Sequence, residues 1–396
     1  MTRTLYSNAC TLRMLVTRMD KIIYLDNAST SKVNPEVLES FNQITLKYFA
    51  NPSSIHRLGQ ESNRLLEKSR EQILNLLNLT HHEVIFTSGA TEANNLAIKG
   101  YAYANRNRGN HLITSATEHP SVLNTFKQLE KNGFKVTILP VNEKGIVEVN
   151  SVKDALTDQT ILVSIMAVNN EIGAINPIKE IGESLKHYPK IAFHVDMTQA
   201  IGKVNIPLEN VDMFSFAGHK IHGLLGSGAL IKEKKIILEA QNNGGGQENN
   251  LRSGTNTLAL SASLAKALRL AIDHQEENFQ KVSALRDYLV NYLKDNTDKY
   301  ILNSLDKNNP YIVNFSLKNR KASVLVEALS NRGIMVSSLS ACHSKNEDYS
   351  YVVYALNHDM CLAHNTVRVS FSYDNTLDEV KLFIKELESI MKEIKQ

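Results

Sequence analysis

Residues 193–223, FHVDMTQAIGKVNIPLENVDMFSFAGHKIHG, decide how the rest of the chain is read. Two short apolar runs, 191–195 and 211–216, are rich in Val, Ile and Phe and bounded by polar residues or glycine, the pattern of strands buried on both faces. Asp196 closes the first run, and Lys220 follows the second 24 residues later. Open α/β sheets place ligands at the carboxyl ends of their strands, so both charges are expected on one ligand-facing edge. An acid beside a dry strand needs a cationic partner, and a lysine in an apolar pocket can shed its proton and become a nucleophile.

A ligand with a basic ring nitrogen and an aldehyde would satisfy both groups, and the cofactor with that chemistry is pyridoxal 5'-phosphate. Taken singly, either residue reads as an ordinary strand-end acid or a solvated lysine. Their joint context favours the cofactor, with Gln199 three residues past the acid and Gly218-His219 leading into the lysine.

Upstream, the strand-like run 84–86 turns through Thr87-Ser88-Gly89-Ala90-Thr91-Glu92 into a helix from about Ala93. Glycine and small hydroxyl residues at a helix start suit an anion, because unpaired N–H groups and the helix dipole converge there; they suit plain capping equally well. The run 111–114 is broken by Ala116-Thr117-Glu118-His119-Pro120. Proline fits a first helical turn and leaves His119 at the strand's end, a structural histidine or a member of the same edge. Further strands are read at 22–25, 134–141, 161–168 and 229–231, and a helix over 61–78. Strands alternating with helices imply a mostly parallel sheet covered on both faces. The glycine-rich stretch 242–250 reads as a linker. Beyond Ala259 a long helix, then mixed elements, closes on a helical face of Val380, Phe383, Ile384, Leu387 and Met391, which reads as a second, smaller domain.

The 396 residues are 42% hydrophobic and 21% charged, enough for a large core and two domains. Lys and Arg number 44 against 41 Asp and Glu, a net +3 without a basic stripe, so nucleic acid is not expected as a direct ligand. No apolar run approaches the ~20 residues that span a membrane. Three cysteines, Cys10, Cys342 and Cys361, make no disulfide framework and fit a reducing cytoplasm. Residues 1–19 carry Arg3, Arg13 and Arg18 and no acid, an N-terminal extension that reads as a targeting segment or as a start placed upstream of Met19. Residues 336–345, VSSLSACHSK, set Cys342 among small polar residues on an exposed loop, where a protonated His343 would favour the thiolate. An incidental loop cysteine fits that composition as well. Cys361, between His358 and His364, lacks diagnostic metal-ligand spacing and reads as structural.

The motifs YLDNAST, NPSSIH, FTSGATEANNLAIKG, TSATEHPSV, VNNEIGAI, HVDMTQAIGK, SFAGHKIHG, GGGQE, RSGT and SACHS occur in this order from about Ile22 onward. In content, order and spacing the chain resembles the group I cysteine desulfurases of the NifS/IscS type, class V aminotransferases of PLP fold-type I. The resemblance implies a large PLP-binding domain over 32–257 with a mostly parallel seven-stranded sheet flanked by helices. A smaller α+β domain is implied from 20–31 and 258–396. It implies Lys220 as Schiff-base lysine, Asp196 as partner of the ring nitrogen, Gln199 on the ring hydroxyl, and His119 stacked on the ring and handling protons. Thr91, His219 and the amide of Ala90 are implied phosphate ligands, with Thr255 reaching the phosphate of the neighbouring subunit in a homodimer. Asn170 and Arg368 would hold the substrate carboxylate, the planar arginine fork matching it. Cys342 would accept sulfur from L-cysteine as a persulfide, leaving L-alanine, for an iron–sulfur scaffold or a tRNA-thiolation enzyme. Alternatives are a selenocysteine lyase or other β-lyase, and a sulfur-relay or scaffold subunit with weakened cofactor binding. Two positions depart from the family: Ala217 replaces a serine and removes a phosphate hydrogen bond, and Leu339 replaces a glycine and stiffens the cysteine loop.

Overall fold

In a computed structural model, the structure describes residues 22–304, 309–318, 320–338 and 349–393. The expectations for residues 1–19, Cys10, Leu339, Cys342 and His343 lie outside the described residues. The chain enters through a short strand, β1 (Ile23–Tyr24), and then builds a seven-stranded sheet. Its members are β2 (His82–Thr87), β3 (His111–Ser115), β4 (Lys135–Leu139), β5 (Thr160–Ser164), β6 (Ala192–Asp196), β7 (Met213–Ala217) and β8 (Gly228–Glu233). Their order is β2-β8-β7-β6-β5-β3-β4. The neighbours from β7 to β4 pair parallel, while β8 runs antiparallel to both β7 and β2. Every strand but β8 therefore delivers its carboxyl end to the same edge.

Every residue of β3, β5, β6 and β7 is buried. One face packs Phe86, Phe193, Phe214 and Phe216 against the helix Leu258–Asp273. The other packs Ile85, Leu112, Leu162 and Leu230 against the helices Ala90–Ala104 and Pro120–Lys131. At roughly 25 cal/mol per Å² of apolar surface, this two-sided burial is the main force holding the strand ends in place. The one polar side chain deep in β6, His194, is bonded at Nδ1 to Ser164 Oγ (2.8 Å) and at Nε2 to Ser215 Oγ (3.0 Å). Burial pushes it down to about 4, so it is neutral.

A second apolar cluster gathers Phe315, Phe371 and Phe383 with Ile23 and Leu25 from the start of the chain. It lies under an antiparallel sheet of β9 (Tyr300–Leu302), β10 (Ile312–Leu317), β12 (Ser337–Ser338) and β13 (Thr366–Ser370), while β1 pairs parallel with β11 (Ile334–Met335). The helix Leu258–Asp273 packs with the seven-stranded sheet, whereas Gln275–Asp295 supplies Val282, Leu285 and Leu289 to the second cluster. The change of core falls near the break between these helices, with Phe279 packed against both clusters. Residues 242–250 do not act as a free linker. Arg70 donates from Nη1 and Nη2 to buried Glu248 (2.8 and 2.9 Å), and the amide of Phe86 donates to the same carboxylate (2.8 Å). A carboxylate taken out of water requires such partners, and they pin the segment to the end of β2. Among the described residues no helix is long and apolar enough to cross a membrane.

Candidate active site

A cavity of about 390 Å³ opens where the carboxyl ends of β2, β3, β5, β6 and β7 meet the turn after β1. Each strand end contributes to it: Ser88–Glu92 after β2, His119–Ser121 after β3, Asn170 and Glu171 after β5, Asp196 and Gln199 from β6, His219 and Lys220 after β7. Ala28, Ser29 and Arg368 close the opposite side. A second cavity of about 380 Å³ lies behind Lys220, but Asp196, Gln199 and His119 do not line it.

On the sheet side, Asp196 is buried with its carboxylate held at both oxygens. Asn94 Nδ2 donates to Oδ2 (2.8 Å) and the amide of Thr198 donates to Oδ1 (2.9 Å). Asn94 also donates to Ser121 Oγ (3.0 Å), which lies 2.9 Å from Nδ1 of His119. His119 caps the helix Pro120–Lys131, its Nδ1 accepting from the amide of Ser121 (3.1 Å), so Pro120 fixes the ring's place at the cavity rim. Gln199 Nε2 donates to the carbonyl of Ala28 (2.9 Å), and Lys220 Nζ donates to the carbonyls of Ala28 (2.7 Å) and Ser29 (2.5 Å). His219 is pushed down to about 4 by burial and by the Lys220 and Lys203 cations, which keeps it neutral.

The helix Ala90–Ala104 begins at the cavity, with Ala90 and Thr91 in its first turn. Its N-cap, Gly89, offers no side-chain cap, and a Cβ built there would meet no atom within 4 Å. This leaves an open cradle facing first-turn amides that have no helical acceptor. The open cradle fits a phosphate, the oriented Asp196 carboxylate fits a protonated ring nitrogen, and Lys220 stands between them and the turn after β1. The residues present therefore fit pyridoxal phosphate.

On the opposite side, Arg368 of β13 is 4% exposed. It donates to Asp26 Oδ1 (2.9 Å), Ser29 Oγ (2.7 Å) and the carbonyl of Asn170 (2.9 Å). Its Nε and Asn170 Oδ1 are buried without a hydrogen-bond partner among the described residues. Two fully buried carboxyl groups follow, Glu171 in the cavity lining and Glu118 outside it, each with one oxygen lacking a partner among the described residues. Glu171 accepts from Ser350 Oγ; burial pushes it up to about 7 against the lowering effects of that bond and of Arg368. Glu118 accepts from Ser115 Oγ (2.6 Å) and from the amide of Met166 (2.9 Å), and burial pushes it up to about 8.

Of the sequence-derived site residues, Ala90, Thr91, His119, Asn170, Asp196, Gln199, His219, Lys220 and Arg368 share this cavity. Thr255 is exposed and not among its lining, and Ala217 is fully buried at the end of β7, also outside the lining. Cys342 lies outside the described residues. Cys361, read as structural, is exposed. Sequence reasoning missed Asn94, Ser121, Asp26, Ser29, Glu171 and Lys203. Asn94 and Glu171 sit inside quoted motifs, yet only the fold aims them at Asp196 and Ser350.

An edge that gathers a lysine, a buried aspartate and a helix N-terminus around one cavity defines a cofactor-binding α/β class, and the chain belongs to the Aminotransferase class-V family, whose profile matches residues 23–383. Within that family its relatives are of the NifS/IscS type. A NifS/IcsS protein homolog of Lactobacillus delbrueckii subsp. bulgaricus is 44% identical, covering 93% of this chain and 97% of the relative. A cysteine desulfurase IscS of Clostridium botulinum is 40% identical over 95% of this chain and 96% of its own. Among solved structures, a NifS-like protein superposes with a TM-score of 0.88 at 33% identity, covering 94% of this chain and 100% of that one.

Proposed function

We propose that this chain is a pyridoxal phosphate-dependent cysteine desulfurase that converts L-cysteine to L-alanine and leaves the sulfur as a persulfide on Cys342. What supports the reading is the convergence of Lys220, Asp196, Gln199 and His119 on one cavity that has a helix N-terminus at one end and Arg368 at the other. When bound, the cofactor supplies a carbonyl for the substrate amine and a sink for its Cα electrons. Asp196, aimed by Asn94 and the Thr198 amide, holds a proton at the ring nitrogen. Gln199 would donate to the ring oxygen, and His119 would lie against the ring. Ala90, Thr91 and neutral His219 bind the phosphate, with Thr255 serving the partner's site in a homodimer. Lys220 would hold the cofactor's carbonyl and, once freed, would take the Cα proton of the substrate. Arg368 and Asn170 orient the substrate carboxylate, which replaces Asp26 on the guanidinium.

Cys342 attacks the substrate sulfur. The new S–S bond forms as the Cβ–S bond breaks, and Cβ takes the electron pair and a proton to become the methyl group of alanine. The persulfide then passes to a sulfur acceptor, an iron–sulfur scaffold or a tRNA-thiolation enzyme, in the cytoplasm. Incubating the cofactor-loaded protein with L-cysteine should release alanine and leave a persulfide on Cys342, both lost in Cys342→Ala. Equal alanine from that variant would remove Cys342 from the mechanism and favour a β-lyase.

A further inference from the structure

Lys203 follows Gln199 by four residues in the turns after β6 and is 9% exposed. Its Nζ donates to Gln199 Oε1 (3.0 Å), and it stands 5.8 Å from the centre of the Tyr311 ring. Among the described residues no salt bridge pairs it with a carboxylate. The charged groups that act on it are Lys220 and Arg368, and its own charge acts on His219 and His222. Burial, then these two cations, push it down to about 7. A methionine would fill the same space without the cost of desolvating an ammonium beside two other cations.

What the lysine does there follows from donor and acceptor chemistry. Ala28 O can only accept, and the ammonium form of Lys203, which holds below about pH 7, can only donate. Between them the Gln199 amide has one orientation: Oε1 toward Lys203 and Nε2 toward Ala28 O. Its second Nε2 hydrogen is left for the cavity that Gln199 lines. The Ala28 carbonyl is also the acceptor of Lys220 Nζ at 2.7 Å, so a continuous path of hydrogen bonds runs from Lys203 through Gln199 to the lysine at the cavity's centre.

We propose that Lys203 is a positioning residue: it locks the Gln199 amide with N–H toward the ligand and places a positive charge behind Lys220. This rests on the cofactor-binding reading and reaches beyond it to a residue that does not touch the cofactor. A negative oxygen of the bound cofactor would then meet a fixed donor, and the second cation, which repels Lys220, would disfavour a proton on the Lys220 nitrogen.

The test is a spectrophotometric pH titration of the protein loaded with pyridoxal phosphate, without L-cysteine, for the parent, Lys203→Met and Lys203→Arg. Removing the charge should raise the midpoint of the bound cofactor's absorption change by about one pH unit, while arginine should hold it near the parent value. Dialysis should strip cofactor faster from Lys203→Met. A midpoint unchanged in Lys203→Met, or arginine behaving as methionine does, overturns the proposal. If Lys203→Met fails to fold, Lys203→Gln carries the same expectation. Parent protein that titrates as described but forms no alanine would sink the desulfurase reading and spare this one; parent protein that takes up no cofactor would sink both.

Discussion

Asp196, Gln199 and Lys220 stand on or just past the ends of β6 and β7, strands buried at every residue and gripped by Phe193 and Phe214. Arg368, Asp26 and Ser29, across the cavity, hold one another through exchangeable polar bonds: guanidinium to carboxylate, guanidinium to hydroxyl, and Ser29 Oγ to Asp26 Oδ1 (2.9 Å). Apolar packing resists displacement at several kcal/mol per side chain. A hydrogen bond to a charged group can instead be traded for another of the same kind at little net change. On the proposed function, the sheet side would keep one geometry through the reaction, and the opposite side would let an incoming carboxylate take the place of Asp26.

Four substitutions break or sharpen this contrast. Lys220→Ala strikes the fixed side at its chemical centre. Alanine formation should fall by about 10³-fold or more while the thermal midpoint stays within about 3 °C, because the packing behind the residue is untouched. A normal rate would remove Lys220 from the chemistry. Next is Glu171→Gln at the rim. Glu171 sits at about 7 instead of 4.5, so between those values the unfolded chain has lost a proton that the folded chain keeps, and stability falls as pH rises. The total is up to about 3 kcal/mol by pH 7.5. Glutamine removes that loss, so the variant should gain on the parent from pH 4.5 to 7.5 in urea unfolding, and a pH-independent difference would refute the buried-acid assignment.

Arg368→Lys tests the exchangeable side. It loses the planar fork, and KM for L-cysteine should rise about 10- to 100-fold with a smaller change in kcat. The reverse pattern, kcat lost and KM kept, would move Arg368 to the fixed side. The smallest effect is expected from Asp26→Asn, which removes the competitor for the guanidinium. KM should fall about 2- to 5-fold at a stability cost below about 1 kcal/mol, since the Asp26 side chain is 22% exposed and its pairing is partly screened. A KM that rises would mean Asp26 orients Arg368 for the substrate and does not compete with it.

The fixed side was legible in the sequence because its signal is local. A short apolar run followed by a polar residue locates β6 with Asp196 and β7 with Lys220, and Pro120 marks the turn that holds His119. The mostly parallel sheet follows from the same alternation; the reversal of β8 does not, since a buried strand reads alike in both directions. The exchangeable side is almost illegible. Arg368 meets Asp26 across 342 residues, and one contact of the fixed side, Asn94 with Asp196 across 102, is as well hidden. Neither pairing leaves a mark at short spacing, and for Arg368 the resemblance to a family supplied what periodicity did not. The 242–250 stretch misleads for a related reason: its glycines advertise freedom that one distant arginine, Arg70, takes away.

Lys220 and Gln199 meet at the carbonyl of Ala28, and no amino-acid replacement deletes a carbonyl. A saturation scan would thus score Ala28 by side-chain size alone, as a tightly packed position, and would assign it no part in the chemistry. Deleting one residue between Asp26 and Ser31 would slide a different carbonyl into the shared place and disturb both side chains at once. The length of that turn, more than its spelling, is the heritable trait.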